Sequence, residues 1–211
     1  MEGLEFIYKR HSVRKFKEEG VPNEDIRKII GAATQAPSGK NRQNWHFIVV
    51  KNRALIEKIG EAIENKGKEL VEGVPEEKSK DFIKFLPFYS FFQRAPVTIL
   101  VFAGPYPTTG ADLLRAKNAP EEEIKDLEKH NPGIQNVAAA MENLLLAAAN
   151  LGYGTCWMTG PNFAAKEIQE AVGFKKEGYY LAAMTPLGIP EEKELWSPER
   201  KPLEDVMDII E

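Results

Sequence analysis

The sequence predicts an α+β layered domain, on three observations. Short apolar runs rich in β-branched residues read as strands, amphipathic stretches of helical period lie between them, and the charged or Pro/Gly-rich stretches are set apart as excursions. After Pro22, the residues Ile26, Ile29, Ile30 and Ala33 follow the i, i+3, i+4, i+7 pattern of a helix. That helix should stop before the break Ala36-Pro37-Ser38-Gly39. His46-Phe47-Ile48-Val49-Val50 reads as a short buried strand, and Leu55, Ile56, Ile59, Ala62 and Ile63 mark a second helix. Residues 65–81 are charged and poor in large apolar side chains, which predicts an exposed segment. Val97–Phe102 is a second strand, and Gly104–Pro132, rich in Pro, Gly and acids, reads as an excursion or lid over the core.

Residues 136–151 predict a helix apolar nearly all round, which must be buried on all sides, either within one chain or partly by a second subunit. The run 152–158 reads as a turn entering a strand, with Gly152 as a helix C-cap. A helix follows around Ala164–Val172 with Asn162 as its cap, then a strand over Tyr179–Leu187. Leu203, Val206, Met207 and Ile210 suggest a short C-terminal helix.

Composition narrows the function classes. The chain has 211 residues, 43% of them hydrophobic, and a net charge of −4, which suits one compact domain spanning 1–211 and gives no sign of a nucleic-acid surface. One cysteine, Cys156, excludes an internal disulfide and a multi-cysteine metal site. The three histidines lack metal-ligand spacing, so no metal is expected. The start of the chain carries acids and no apolar signal core, and no window approaches the roughly 20 apolar residues of a membrane span. The expectation is a soluble cytoplasmic protein with no membrane or nucleic-acid partner.

Three stretches carry candidate chemistry. Arg10, Ser12 and Arg14 alternate, so in an extended chain they point to one side, where two guanidinium forks and a hydroxyl suit a phosphate dianion. The same residues also read as a solvated charge run. Residues 36–45 place Ser38, Asn41, Gln43 and Asn44 in a turn between a helix and a strand. Their carboxamides match a heterocycle edge that alternates donors and acceptors, while Asx-turns in a polar surface loop account equally for the composition. The run Leu151–Gly160 supplies glycines that allow close backbone approach. Near the far end lie Arg200 and Lys201. No protein nucleophile is visible, and Cys156 in its apolar run reads as an inert buried thiol. The chemistry therefore belongs to a cofactor.

In order along the chain, Arg10-His11-Ser12-Val13-Arg14-Lys15-Phe16, Ala36-Pro37-Ser38-Gly39-Lys40-Asn41-Arg42-Gln43-Asn44-Trp45-His46-Phe47, Asn143–Ala148 through Leu151–Trp157, and Arg200-Lys201-Pro202-Leu203 resemble the nitroreductase family of FMN-dependent oxidoreductases. The resemblance implies an α/β sandwich with a mainly antiparallel central sheet flanked by helices, in an intertwined homodimer with each flavin between two subunits. It implies FMN, with NADH or NADPH as electron donor. Hydride would pass through flavin N5 to an electron-poor acceptor, such as a nitroaromatic or quinone, in a ping-pong cycle. It places the FMN phosphate on Arg10, Ser12 and Arg14, with the backbone of His11 and Val13 nearby and Arg200 closing the same phosphate. It sets Pro37, Ser38, Asn41 and Gln43 along the flavin and ribityl chain, and the backbone of Thr159 and Gly160 near N5. The middle of the chain, about 65–135, is where the family sets substrate preference, and the aromatic cluster Phe85, Phe88, Tyr89, Phe91 and Phe92 either walls that pocket or packs the core.

Three departures stand out. Gln43-Asn44-Trp45 replaces the usual Gln-Pro-Trp, Pro198 stands where some relatives have lysine, and Thr159 stands where some have an acid. The same fold also hosts reductive dehalogenation and flavin fragmentation, and a non-catalytic flavin-binding sensor is the alternative outside enzymes.

Overall fold

Among the described residues, seven of the eight α-helices and all four strands fall where burial explains them. The computed structural model describes residues 3–192 and 195–211. Met1 and Glu2, part of the acidic start noted above, lie outside the described residues. Helix α1 spans Glu5–Tyr8. Helix α2, Asn23–Ala33, buries Ile26, Ile29 and Ala33, and its first turn carries Glu24 and Asp25, which suit the positive end of the helix. Strand β1 is Trp45–Val50. In helix α3, Arg53–Val71, the Asn52 side chain accepts the Leu55 N–H as cap, and Ile56, Ile59 and Ile63 face inward. Helix α3 therefore runs past the expected end into the charged stretch, and α4 occupies Glu76–Phe85. Long charged side chains cover the outer faces of both, so the segment is helical as well as exposed.

Strand β2, Val97–Ala103, is buried along its whole length. The expected excursion contains two short helices, α5 (Ala111–Ala116) and α6 (Glu121–Glu128). Helix α7, Pro132–Asn150, starts on Asn131, whose side chain accepts the Ile134 N–H, and buries eight residues. Strand β3 is only Gly154–Thr155, followed by helix α8 at Ala165–Ala171 and strand β4 at Tyr180–Gly188. Gly152 takes φ +86° just past α7, a left-handed turn that favours glycine.

The sheet order is β1-β2-β4-β3, antiparallel throughout. Alternation along β2 builds both faces of the sandwich. Ile99, Val101 and Ala103 pack with α2 and α7, while Leu100 and Phe102 pack with α3 and α8. The fold is thus α+β with helices on both faces, as expected. No described helix is long and apolar enough to cross a membrane.

Two expectations are corrected. The C-terminal helix is a single 3-10 turn at Leu203–Asp205, because Val206, Met207 and Ile210 are exposed and a helix with no face to bury lacks its main support. Asn162 does not cap α8. It sits inside the 3-10 turn Gly160–Ala164, and its Nδ2 donates to the Ala182 carbonyl at 2.8 Å.

Tyr153 ties the turn after α7 to α2, donating to Asp25 Oδ2 at 2.7 Å. That hydrogen bond, with help from Lys28, holds the Asp25 carboxyl below its usual 3.8. Burial, then the Asp25 contact, pushes the Tyr153 phenol up to about 12. A lowered carboxyl stabilises the fold above its ordinary pKa and loses that contribution as pH falls through the folded value; a raised phenol contributes below pH 10 and loses it as pH climbs toward about 12. Tyr153→Phe should therefore be less stable than the parent at neutral pH, with the gap closing in acid, and should lack the parent's loss above pH 10. Urea midpoints measured against pH check this; parallel curves for the two proteins would contradict it.

Candidate functional site

The arm Arg10–Arg14 is extended and lies along β3. Ser12 bridges Thr155 in parallel, and the Val13 N–H donates to the Thr155 carbonyl at 2.8 Å. Val13 turns inward, so close to Gly154 that a Cβ there would fall 2.7 Å from its own Cβ, which explains why position 154 has no side chain. Ser12 and Arg14, on the opposite side of the extended run, are exposed. Burial pushes the Cys156 thiol up; Arg14, a hydrogen bond from Ser12, and Arg10 pull it the other way, so the three phosphate candidates share one neighbourhood over this residue. Their donors are lightly used. Arg10 reaches Glu142 of α7 only at 3.9 Å, and Arg14 donates to the Ser12 carbonyl at 3.1 Å and lies 6.0 Å from the Phe91 ring.

His11 and Val13 serve the arm's placement. The Val13 N–H is already committed to Thr155, and His11 Nδ1 pairs with Ser197 Oγ at 2.9 Å. Further contacts bring the C-terminal segment to the arm: Lys15 donates to Glu192 at 3.0 Å, and a cavity of about 180 Å³ is bordered by Ser12, Arg14, Leu195 and Trp196. Arg200 lies three residues beyond Ser197, but its guanidinium donates to the Pro198 carbonyl at 3.0 Å. Among the described residues no hydrogen bond or ion pair joins Arg200 to Arg10, Ser12 or Arg14.

The second stretch is a strained loop. Lys40, Asn41 and Gln43 all take positive φ, at 53°, 51° and 45°, a region costly for residues with a Cβ. Their own side chains help hold them: Ser38 Oγ accepts the Gln43 N–H at 3.0 Å, and Gln43 Nε2 donates to Asn41 Oδ1 at 3.0 Å. Pro37 precedes this knot at the end of the turn leaving α2, and, like Asn41 and Gln43, it is exposed.

What fixes the loop from behind was not foreseen. Asn136 of α7 accepts the Gly39 N–H at 3.1 Å and donates to Asn44 Oδ1 at 2.9 Å. Asn44 Nδ2 donates in turn to the carbonyls of Gly104 and Gly133, at 3.2 and 3.1 Å, and its own carbonyl accepts the Gly104 N–H at 2.6 Å. Both asparagines are buried. The residue that replaces proline thus supplies a side-chain staple in place of a fixed φ, and the departure at position 44 has a structural use. Tyr106 closes over the same loop: a Cβ on Gly39 would fall 2.0 Å from its hydroxyl. Asn136 is one of four carboxamides in α7, with Gln135, Asn143 and Asn150, so the sequence does not single it out.

Thr159 and Gly160 are exposed and open the 3-10 turn Gly160–Ala164, just after Met158 bridges Met184. The aromatic cluster divides. Phe92 is fully buried in the core, Phe85 and Phe88 are exposed, Phe91 sits near Arg14, and Tyr89 packs on Gly160.

The nitroreductase family model matches residues 7–189. The chain belongs to the nitroreductase family. It is 46% identical, over the whole of both chains and with a TM-score of 0.93, to the crystal structure of a BluB-like flavoprotein from Clostridium difficile 630. A nitroreductase from Desulfitobacterium hafniense DCB-2, solved with bound FMN, is 26% identical with a TM-score of 0.70, covering 99% of this chain and 97% of that one. A protein of Archaeoglobus fulgidus provisionally named NADH dehydrogenase/NAD(P)H nitroreductase is 30% identical over 194 residues, 91% of this chain and 87% of the relative. The nitroreductase membership sets the chain among oxidoreductases.

The residues present fit FMN. Two cations with spare donors beside a hydroxyl suit its phosphate, and loop carboxamides beside a glycine backbone suit a flat heterocycle. Asn136→Leu should leave Asn44 Oδ1 unpaired in a buried place and release the exposed Gly39 N–H to water, at a cost of about 1–3 kcal/mol. A fall in the urea unfolding midpoint measures it, and an unchanged midpoint would show that the staple is dispensable.

Proposed function

We propose that this chain is an FMN-dependent oxidoreductase that takes reducing equivalents from NADH or NADPH and delivers them to an electron-poor acceptor, such as a nitroaromatic or quinone, in a ping-pong cycle. The observation that carries the reading is the arm, in which Arg10 and Arg14 keep unspent donors on either side of the Ser12 hydroxyl while Val13 anchors the backbone beneath them. Bound FMN supplies reversible hydride chemistry at N5.

The protein's part is position and charge. Arg10 and Arg14 hold the phosphate as a dianion, Ser12 adds a hydroxyl donor, and Arg200 joins them if the C-terminal segment folds in from Ser197. Pro37, Ser38, Asn41 and Gln43 border the flavin, on a loop whose left-handed residues Asn41 and Gln43 are kept in place with help from Asn136 and Asn44. Thr159 and Gly160 present backbone to the N5 edge. With Thr159 in place of an acid, this edge carries no side-chain charge of its own, which favours neutral acceptors.

The reading includes a homodimer built from the single domain 1–211. The exposed apolar residues Leu203, Val206, Met207, Ile209 and Ile210 lack a face to cover within the chain. A cavity of about 280 Å³ where α1 meets α7, lined by Phe6, Leu146 and Ala147, offers a further apolar surface. Arm and loop also hold different sides of α7. Asn136 and Glu142 are six residues apart, about 9 Å along the axis and roughly 120° around it. A symmetric partner completes a site that the two faces of one helix separate.

Purified protein should absorb in the flavin bands with one FMN per chain, bleach on anaerobic mixing with NADH or NADPH, and recover with a nitroaromatic or quinone. A halogenated phenol belongs in the same panel, to detect dehalogenation. Stable FMN binding without bleaching by either nicotinamide would favour the sensor alternative. Arg14→Ala should weaken FMN binding about tenfold to a hundredfold, as loss of a charge-assisted bond predicts. Truncation after Pro202 should shift the sedimentation coefficient from dimer to monomer; a dimer that survives truncation would remove the tail from the interface.

A further inference from the structure

The middle of the chain reaches the Thr159–Gly160 backbone through one ring. A Cβ on Gly160 would fall 2.5 Å from Cε1 and 2.6 Å from Cδ1 of Tyr89, distances that real Cβ atoms do not tolerate. Gly160 is absent from the left-handed region, so its backbone angles do not call for glycine; the tyrosine does. Tyr89 also meets Phe163, in the same 3-10 turn as Gly160, edge to face at 5.6 Å. Phe82 of α4 completes the set, 5.2 Å from Phe163 and 6.0 Å from Tyr89. Ring pairs at these spacings lie within the favourable range and resist sliding. The turn is therefore braced at its first and fourth residues by two side chains from the segment 82–89.

We propose that Tyr89 is a positioning residue that sets the aim of the Thr159–Gly160 backbone, and through it the relative affinity of the site for reduced and oxidised FMN. The proposal rests on the reading that this backbone borders N5. Its physical basis is that a backbone N–H aimed at N5 would pair with the acceptor that oxidised flavin presents there and would lose that acceptor when N5 is protonated on reduction, so the ratio of the two affinities depends on a direction held in advance. Tyr89 acts from behind the backbone by contact, so the property needed is ring bulk, with the hydroxyl contributing nothing. Changes in the 82–89 segment then tune the flavin without any residue of that segment touching it.

The test measures dissociation constants of oxidised and reduced FMN for the full chain, with circular dichroism as the check on folding. Tyr89→Phe should match the parent. Tyr89→Ala should change the reduced-to-oxidised affinity ratio at least threefold, and Tyr89→Leu, which keeps bulk without the ring, carries the same expectation if the alanine variant does not fold. Gly160→Ala should shift the ratio too, by pressing on the ring, and adding Tyr89→Ala should relieve that shift, a non-additive result that contact predicts. A folded Tyr89→Ala or Tyr89→Leu protein with an unchanged ratio overturns the proposal, as does strict additivity with Gly160→Ala. A parent protein that binds no FMN overturns the functional reading itself and this proposal with it.

Discussion

Asn44 ties together three segments that otherwise have little to do with one another. Its Nδ2 donates to both Gly104 and Gly133, closing the base of the excursion between them, while its Oδ1 receives Asn136 from α7. Asn136 passes the restraint on to Gly39, at the start of the strained loop. Buried carboxamides are stable only when each donor and acceptor has a partner, and here the partners include the buried Gly104 carbonyl and the Asn136 amide, which would lose a bond with the Asn44 side chain. The arrangement is cooperative for that reason: loop, helix and excursion keep their places together.

The strained loop follows from this tie. Three side-chain-bearing residues with positive φ within four positions would relax if their surroundings allowed it. Ser38 and Gln43 lock the loop internally, and Asn136 locks it to α7. A proline before Trp45 would restrict one dihedral. The asparagine restricts relative position across about ninety residues of chain, which a local dihedral cannot do. The exposed outer side of the loop is then free to be shaped for a ligand.

Much of this frame is legible in the amino-acid order. The 3.6 period locates α2 and α3, continuous apolar runs locate β2 and β4, and a stretch apolar nearly all round locates α7, because burial on one or all sides imposes each pattern. The alternation of Arg10, Ser12 and Arg14 anticipates an extended arm, since pairing with Thr155 requires one. The tail misled, because Leu203–Ile210 has helical spacing but no surface within the chain to bury it against. The Asn44–Asn136 pair was hidden for a different reason. Asparagines 92 residues apart carry no local signal of their pairing, and a polar loop has the same composition whether or not its amides are buried. Gly154 and Gly160 likewise gain meaning only when Val13 and Tyr89 are seen against them.

The division between frame and middle also bears on how one fold serves several acceptors. The sheet, α7 and the arm are joined by backbone hydrogen bonds and apolar packing, which tolerate little change of shape. The middle meets the candidate site through side chains laid on glycines, Tyr106 on Gly39 and Tyr89 on Gly160. A substitution at such a contact alters the space and aim of the site by fractions of an ångström while leaving the sheet and its hydrogen bonds intact. Family membership fixes the frame strongly for that reason and fixes the reaction weakly; on the proposed function, the choice of acceptor would fall to these contacts, which the frame does not constrain.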